Sequence, residues 1–275
     1  MIGVFDSGYG GLTVLSALLG RLPQYDYLYL GDNGRAPYGG RDKETILRYS
    51  REAVDFLFGQ GCKLIVMACN TVSAVALREL QEEYVRSQKG EQAGGSRWER
   101  NILGVIFPLV EKAVERGVAR KGGENGQAPR IGVVGTRATI ESGAYEHELK
   151  KLRPDAVIYG QACPLLVPFI EEGWESKPEA FTILRKYLRP LKTYNLDTLI
   201  LGCTHYPLMH KAFERGMGKK VRVLDTGPTV AESLANYLER HPEMEGGIRK
   251  GGGAGGAMAA EGAMAACASA IRFCT

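Results

Sequence analysis

The sequence predicts an α/β protein with two pseudo-symmetric, doubly wound domains, each with a mainly parallel sheet, and a ligand site in the cleft between them. Two matching segments carry this prediction, Met67–Thr71 and Leu201–His205. Each follows an apolar, β-branched run and precedes residues with helical spacing, which is typical of a buried strand, a tight turn and a helix start. Because ligands of open α/β sheets bind at the carboxyl ends of strands, the cysteine in each segment is a candidate functional group.

The two segments are part of a longer internal repeat. Cys69 and Cys203 are 134 residues apart, and the strand-like runs Ile2–Phe5 and Ile131–Val134 are 129 residues apart. A third pair of apolar runs recurs at an offset of 120 residues. Three pairs at similar offsets indicate duplication of an α/β unit, so we expect two halves with one cysteine each.

The first half starts with the strand Ile2–Phe5 and a glycine-rich turn over Asp6–Leu12. This turn matches neither Walker A nor G-x-G-x-x-G, and Asp6 would repel a phosphate. We therefore interpret Asp6 as a contact for a cationic group such as ammonium, with helix capping as the alternative. The next strand, Asp26–Leu30, runs into a loop rich in Gly, Pro and Asn, in which Tyr38 either lines a pocket or lies on the surface.

The later elements repeat this alternation. Helical spacing predicts a helix over about 43–58 before the first cysteine strand and another over about 178–191 before the second. Thr136 and Thr139 follow the first strand of the second half and so occupy the place that the Asp6 turn has in the first half. We therefore expect both threonines at the site.

The C-terminal region changes in composition. Residues 246–266 are rich in Gly, Ala and Met, which predicts a flexible segment. The run Ile271–Cys274 that follows has the pattern of a last strand.

Composition and charge argue against several classes of function. With 275 residues and 44% apolar content, the chain can build two real cores. Between Arg86 and Arg130, nine Lys/Arg exceed five Asp/Glu by four, which accounts for the whole net charge of +4. We interpret this positive segment as a solvated face of the protein and therefore expect no nucleic-acid partner.

The chain shows neither a signal peptide nor an apolar run long enough to span a bilayer, so we expect a cytoplasmic protein without a membrane partner. Its six cysteines are then expected to be reduced thiols. No C-x-x-C pair occurs, so no metal site is expected.

Two thiols in equivalent places suit racemisation at a carbon acid. If the halves face each other, one thiolate removes the α-proton of a ligand and the opposite thiol delivers a proton. Helix N-termini are also expected to lower the thiol pKa. Three alternatives remain open: a Cys-His-Asp hydrolase using Cys203 and His205, a non-catalytic module that binds phosphate at the glycine-rich turn, and cysteines that are merely small buried side chains.

Five ordered motifs between residue 2 and about residue 238 resemble those of glutamate racemase, in the cofactor-independent branch of the aspartate/glutamate racemases. The motifs are Asp6-Ser7-Gly8 with Gly10-Gly11-Leu12, Pro37-Tyr38-Gly39, Ala68-Cys69-Asn70-Thr71, Cys163-Pro164 with Val167-Pro168 and Glu171, and Gly202-Cys203-Thr204-His205-Tyr206-Pro207.

The resemblance implies a role for each matching residue. Cys69 and Cys203 would be the two acid–base groups, and Asp6, Glu171 and His205 would assist them. The substrate would be bound by Ser7, Tyr38, Gly39, Asn70, Thr71, Thr204 and His205. To these we add Asp6, Thr136 and Thr139 from their positions after strands.

The same resemblance implies a discontinuous first domain, residues 1–100 plus 208–275, around a second domain over residues 101–207. It also implies interconversion of L-glutamate and D-glutamate without a cofactor, a supply of D-glutamate for peptidoglycan, and often a homodimer. A racemase of another acidic amino acid, such as aspartate, is the nearest alternative, because the twin cysteines determine proton transfer and not side-chain length.

Overall fold

The computed structural model describes residues 1–86, 100–117, 128–248, 250 and 271–274. The strands within these residues are β1 (Ile2–Asp6), β2 (Tyr27–Gly31), β3 (Leu64–Met67), β4 (Asn101–Gly104), β5 (Arg130–Gly135), β6 (Val157–Ala162), β7 (Thr198–Gly202), β8 (Arg222–Leu224) and β9 (Ile271–Cys274). The α-helices are α1 (Leu12–Arg21), α2 (Lys43–Gly59), α3 (Asn70–Val75), α4 (Leu77–Gln81), α5 (Ile106–Gly117), α6 (Arg137–Glu141), α7 (Ala144–Leu152), α8 (Leu166–Glu171), α9 (Pro178–Lys192), α10 (His210–Met217), α11 (Thr226–Arg240) and α12 (Pro242–Gly246).

Two parallel sheets with flanking helices form the fold. The first has the strand order β4-β3-β1-β2-β9, and the second has the order β6-β5-β7-β8. The run β4-β3-β1-β2 of the first sheet therefore corresponds to β8-β7-β5-β6 of the second. This correspondence confirms the α/β fold class and the internal repeat that the offsets predicted.

Local sequence explains the boundaries of the long helices. In α2, Asp42 accepts a hydrogen bond from the Thr45 N–H at 2.9 Å and so caps the helix. Helix α9 begins at Pro178, where a missing N–H costs nothing. Both helices bury one apolar face against a sheet, as their 3.6-residue spacing predicts.

The chain crosses between the two halves twice, after β4 and after β8. Strand β4 belongs to the first sheet, but α5, which follows it, packs with β5, β7 and α7 of the second half. Strand β8 belongs to the second sheet, but α11, which follows it, packs on α1 over the first sheet. Each sheet is thus covered in part by a helix that directly follows a strand of the other sheet.

These crossings lie elsewhere than the predicted domain boundaries at 101 and 208. Strand β4 pairs with β3, so the first sheet extends beyond residue 100. Strand β8 pairs with β7, so the second sheet extends beyond residue 207. An apolar run has the same pattern in either sheet, and for this reason the sequence does not reveal which sheet a strand joins.

The C-terminal region differs in part from its prediction. Helix α12 ends at Gly246, Ile248 is buried in the first core, and Lys250 forms an isolated antiparallel bridge with Tyr25. The predicted flexible segment therefore does not begin at Gly246, and the rest of that prediction lies outside the described residues. The predicted last strand is confirmed, because β9 pairs in parallel with β2.

No helix among the described residues is both long enough and apolar enough to cross a membrane.

Candidate active site

The two repeated cysteines line one cavity of about 270 Å³. Cys69 follows β3 as the N-cap residue of α3, and Cys203 follows β7. Both side chains are nearly covered, at 4% and 5% exposure. Drug-sized ligands usually occupy cavities of about 300–1,000 Å³, so a slightly smaller one suits a small metabolite.

Loops after the other central strands complete the cavity wall. Ser7 follows β1, Tyr38 and Gly39 follow β2, and Thr136 follows β5. A Cβ at Gly39 would lie 2.6 Å from the Thr136 Cβ, so only glycine allows the two halves to approach this closely. The carboxyl ends of both parallel sheets therefore converge on the cavity, as their topology predicts.

The structure brings most of the predicted site residues to this cavity. The predicted residues that line it are Ser7, Tyr38, Gly39, Cys69, Asn70, Thr71, Thr136, Glu171, Cys203, Thr204 and His205. Two predicted residues, Asp6 and Thr139, do not line the cavity but contact side chains that do.

Cys203, His205 and Glu171 form a chain of polar contacts. The Cys203 Sγ lies 3.8 Å from His205 Nδ1, and His205 Nε2 lies 3.0 Å from Glu171 Oε1. Burial disfavours a charged imidazole, but the hydrogen bonds to Cys203 and Glu171 and nearby negative charges outweigh it and raise the pKa of His205 to about 10. His205 is therefore an imidazolium at neutral pH and can donate from both ring nitrogens.

Asp6 lies fully buried behind the cavity wall. Its Oδ2 accepts from the Gly8 N–H at 3.0 Å, and its Oδ1 accepts from the Thr204 hydroxyl at 3.3 Å. Burial raises the pKa of Asp6, whereas the positive charge of His205 and these hydrogen bonds oppose the rise. A Cβ at Gly10 would lie 2.5 Å from His205 Nδ1, so this glycine leaves room for the imidazole.

The environment of Cys69 contradicts the expectation that a helix N-terminus lowers its pKa. Burial, followed by the negative charge of Asp6, raises the pKa of Cys69 to about 12. The hydrogen bond between the Cys69 thiol and the Ser7 oxygen, at 3.4 Å, and the one from the Val72 N–H lower this pKa, but their effects are weaker. The prediction was wrong because it considered the helix alone, without desolvation or a neighbouring carboxylate.

Three threonine hydroxyls join the halves beside Cys69. Thr71 Oγ1 lies 2.9 Å from Thr136 Oγ1 and 3.3 Å from Thr139 Oγ1, and the latter two are 2.9 Å apart. All three residues are buried. Because hydroxyls both donate and accept, this cluster can turn donors toward an anionic group in the cavity.

Tyr38 lies in the cavity wall and not on the surface, which decides between the two readings of the sequence. Its hydroxyl donates to Asp32 Oδ2, and the same oxygen accepts from Arg35 Nε at 2.6 Å. The irregular loop after β2 is therefore stabilised by hydrogen bonds between its own side chains.

Sequence reasoning missed several residues around the cavity. Arg137, the first residue of α6, is one of the residues that line the cavity, and Tyr29 donates its hydroxyl to the Gly8 carbonyl at 2.6 Å. The hydroxyl of Tyr145 donates to Asn70 Oδ1 at 2.6 Å. Arg137 could have been recognised as a cation just after a strand end, whereas the two tyrosines look like ordinary apolar positions of a strand and a helix.

A larger cavity of about 820 Å³ lies elsewhere, between α3, α4, α5, α7 and α11. Its lining contains no cysteine and none of the predicted site residues. We therefore place the chemistry in the smaller cavity, where two thiols and an imidazolium meet.

Within the described residues, no group of three or more His, Cys, Asp or Glu is arranged to hold a metal ion. The side chains that line the smaller cavity include two thiols, an imidazole, a carboxylate and several hydroxyls. Two thiols, an imidazolium and a carboxylate are suited to proton transfer.

Comparisons with known proteins identify the family of the chain. A family model described as Asp/Glu/Hydantoin racemase matches residues 109–234. A glutamate racemase from Ruegeria sp. (strain TM1040) is 42% identical over 261 residues, which cover 91% of this chain and 89% of the relative.

Two solved structures are also similar. A glutamate racemase isoform from Bacillus anthracis is 36% identical with a TM-score of 0.75, over 87% of this chain and 82% of the other. A glutamate racemase from Francisella tularensis subsp. tularensis, solved in complex with D-glutamate, is 29% identical with a TM-score of 0.77, over 99% of this chain and 86% of the other. From its twin-cysteine cavity, its repeated sheets and its similarity to these proteins, we conclude that the chain belongs to the glutamate racemase family of isomerases.

Proposed function

We propose that this chain interconverts L-glutamate and D-glutamate without a cofactor, with Cys69 and Cys203 as the two acid–base groups. The observation that carries the proposal is that both thiols line one cavity, each after the corresponding strand of its half. Glutamate is the proposed substrate because relatives at about 40% identity are glutamate racemases and one similar structure holds D-glutamate.

In the proposed reaction, a thiolate on one side of the substrate removes the α-proton and becomes a thiol. The thiol on the opposite side then protonates the α-carbon and becomes a thiolate. The configuration at the α-carbon is thereby inverted, with no net gain or loss of atoms. The reverse reaction exchanges the two roles. The burial of both thiols supports this chemistry because it limits the access of bulk water to the proton that is transferred.

The charged groups beside the two cysteines differ. With a pKa of about 12, Cys69 is a thiol in the free protein and is ready to donate a proton. The charged His205 beside Cys203 supplies a counter-charge for a Cys203 thiolate. When Cys69 must act as the base, the ammonium group of the substrate offsets the charge of Asp6 that opposes the Cys69 thiolate.

The remaining roles are proposed from position. Glu171 holds His205, and Asp6 holds Thr204 and sets the charge behind Cys69. Thr139 supports Thr71 and Thr136 from behind the wall. The proposed substrate contacts are Ser7, Tyr38, Gly39, Asn70, Thr71, Thr136, Thr204 and His205. Their hydroxyl and amide donors suit the carboxylates of glutamate, and binding the α-carboxylate also stabilises the charge that develops on proton loss.

The chain Cys203–His205–Glu171 supports a second candidate, a hydrolase with one nucleophilic cysteine. Such an enzyme needs only Cys203, whereas a two-base racemase needs both thiols. A third possibility is a racemase that prefers aspartate, which differs from glutamate by one methylene group.

The test is incubation of the purified protein with L-glutamate in D₂O without added cofactor, followed by optical rotation and by NMR at the α-position. We expect rotation to disappear as deuterium enters, and we expect Cys69→Ser and Cys203→Ser each to be crippled. Cys62→Ala is the matched control, because Cys62 is also a buried thiol but does not line the cavity. Full activity in Cys69→Ser would contradict the two-base proposal, and faster turnover of aspartate would change the substrate.

In the cell, we propose that the chain acts in the cytoplasm as a homodimer and supplies D-glutamate for peptidoglycan. These proposals rest on the family alone. They are tested by rescue of a strain that requires external D-glutamate, and by light scattering of the pure protein. Growth that still needs D-glutamate, or a monomer at micromolar concentration, would contradict them.

A further inference from the structure

Tyr145 touches both halves of the site without lining the cavity. It occupies the first turn of α7, just after Gly143, whose φ of +66° makes the tight turn from α6. Its hydroxyl lies 2.6 Å from Asn70 Oδ1, beside Cys69. Its ring packs on Gly202, beside Cys203, where an added Cβ would lie 3.2 Å from the ring. One side chain of the second half thus contacts the immediate neighbour of each cysteine.

The hydrogen bonds around Asn70 have one consistent direction. The Leu201 carbonyl can only accept, so the Thr226 hydroxyl donates to it at 3.1 Å. Thr226 then accepts from Asn70 Nδ2 at 3.5 Å, which leaves Asn70 Oδ1 to accept from the Tyr145 hydroxyl. Asn70, Tyr145 and Thr226 are all buried, and Thr226 and Tyr145 do not line the cavity.

We propose that Tyr145 is a positioning residue that holds the amide of Asn70 with its nitrogen available to the substrate. In this orientation one Nδ2 hydrogen is engaged by Thr226 and the other remains for an anionic carboxylate in the cavity. A flipped amide would present its oxygen instead and would repel that carboxylate. The inference rests on the proposed role of Asn70 in substrate binding.

Removal of the hydroxyl isolates this effect. Tyr145→Phe keeps the ring on Gly202 but leaves Asn70 Oδ1 without its donor, so the amide can flip. Because Asn70 would contact the carboxylate in both ground state and transition state, we expect a KM about tenfold higher and a kcat within about threefold of the wild type. Burial, together with the nearby Cys203, raises the pKa of Tyr145, so its hydroxyl remains a donor across the working range of pH.

A double-mutant cycle distinguishes positioning from general stability. In an Asn70→Ala background, Tyr145→Phe should change KM by less than about twofold, because its target is gone. Tyr27→Phe is the matched control, since the Tyr27 hydroxyl is equally buried and donates to the Leu22 carbonyl at 2.9 Å in the first core. We expect this control to lower Tm without changing KM.

A second measurement does not depend on turnover. The side-chain amide signals of Asn70 in a ¹H–¹⁵N spectrum, assigned by their loss in Asn70→Ala, should shift or broaden in Tyr145→Phe and stay unchanged in Tyr27→Phe. Unchanged Asn70 signals, or an equal KM increase with and without Asn70, would overturn the inference. Failure of the two-thiol proposal would appear separately, as activity that survives Cys69→Ser or Cys203→Ser.

Discussion

The contact between His205 and Glu171 gives a quantitative prediction for Glu171→Gln. The substitution keeps the shape of the side chain and removes the charge that lies 3.0 Å from His205 Nε2. Since Glu171 is one of the groups that raise the pKa of His205 to about 10, the pKa should fall. His205 should then remain charged at neutral pH but lose its proton, and with it the counter-charge at Cys203, at a lower pH than in the wild type.

The expected size follows from the geometry. A hydrogen bond to a charged group contributes about 1.5–3 kcal/mol, and 1.36 kcal/mol corresponds to one pKa unit. The Glu171 side chain is 31% exposed, so solvent screening favours the lower end of this range. We therefore expect the pKa of His205 to fall by about one unit, to about 9.

The assay is an NMR titration of the imidazole signals. The chain contains four histidines, so the His205 signal can be assigned by its loss in His205→Asn. Glu172→Gln is the matched control, because it removes the same charge from the adjacent, exposed residue. The reasoning is refuted if His205 titrates at the same pH in Glu171→Gln and wild type, or if Glu172→Gln has an equal effect.

The same shift has a consequence for stability. Because the folded-state pKa of His205 lies above its unfolded value near 6.5, this group stabilises the fold fully below pH 6.5. The contribution is then lost as the pH rises toward 10. In Glu171→Gln the loss should be complete at a lower pH, which urea unfolding at several pH values would detect.

Two further substitutions test the groups behind the cavity. Asp6→Asn should lower the pKa of Cys69 from about 12 and speed its alkylation by iodoacetamide at pH 8, and an unchanged rate by peptide mass spectrometry would contradict this. Gly10→Ala should displace His205 and reduce activity at a cost of about 1–3 kcal/mol, because the new methyl group would lie 2.5 Å from the ring. Gly20→Ala is the control, because a Cβ at Gly20 would meet no atom within 4 Å, and it should leave stability unchanged or raise it. Equal losses of activity in the two variants would argue against a steric clash with His205 as the cause.

The sequence was most informative about the strand ends. Each cysteine follows an apolar run and precedes a helix, and these are local signals that survive in the fold. The repeat offsets also predicted that the two cysteines occupy equivalent places. Together they were enough to gather most of the lining residues into one site.

Features that depend on distant residues were harder to foresee. The pKa of Cys69 is set by burial and by Asp6, which comes from another strand, so local helix geometry gave the wrong direction. The hydroxyl of Tyr145 meets Asn70 across 75 residues of sequence. Neither contact leaves a pattern in a single sequence, because only the packed fold brings the groups together.

The exchange of α5 and α11 at the two chain crossings has a consequence for how the molecule is assembled. A fragment that ends after β4 would lack α11 and would expose the apolar face of α1. A fragment that contains only the second sheet would have to begin at α5 and end before α11. The covering helices also contact each other, so loss of order in one half uncovers the other. The two halves therefore repeat one strand order but depend on each other for their covering helices, and we expect them to melt in one cooperative transition.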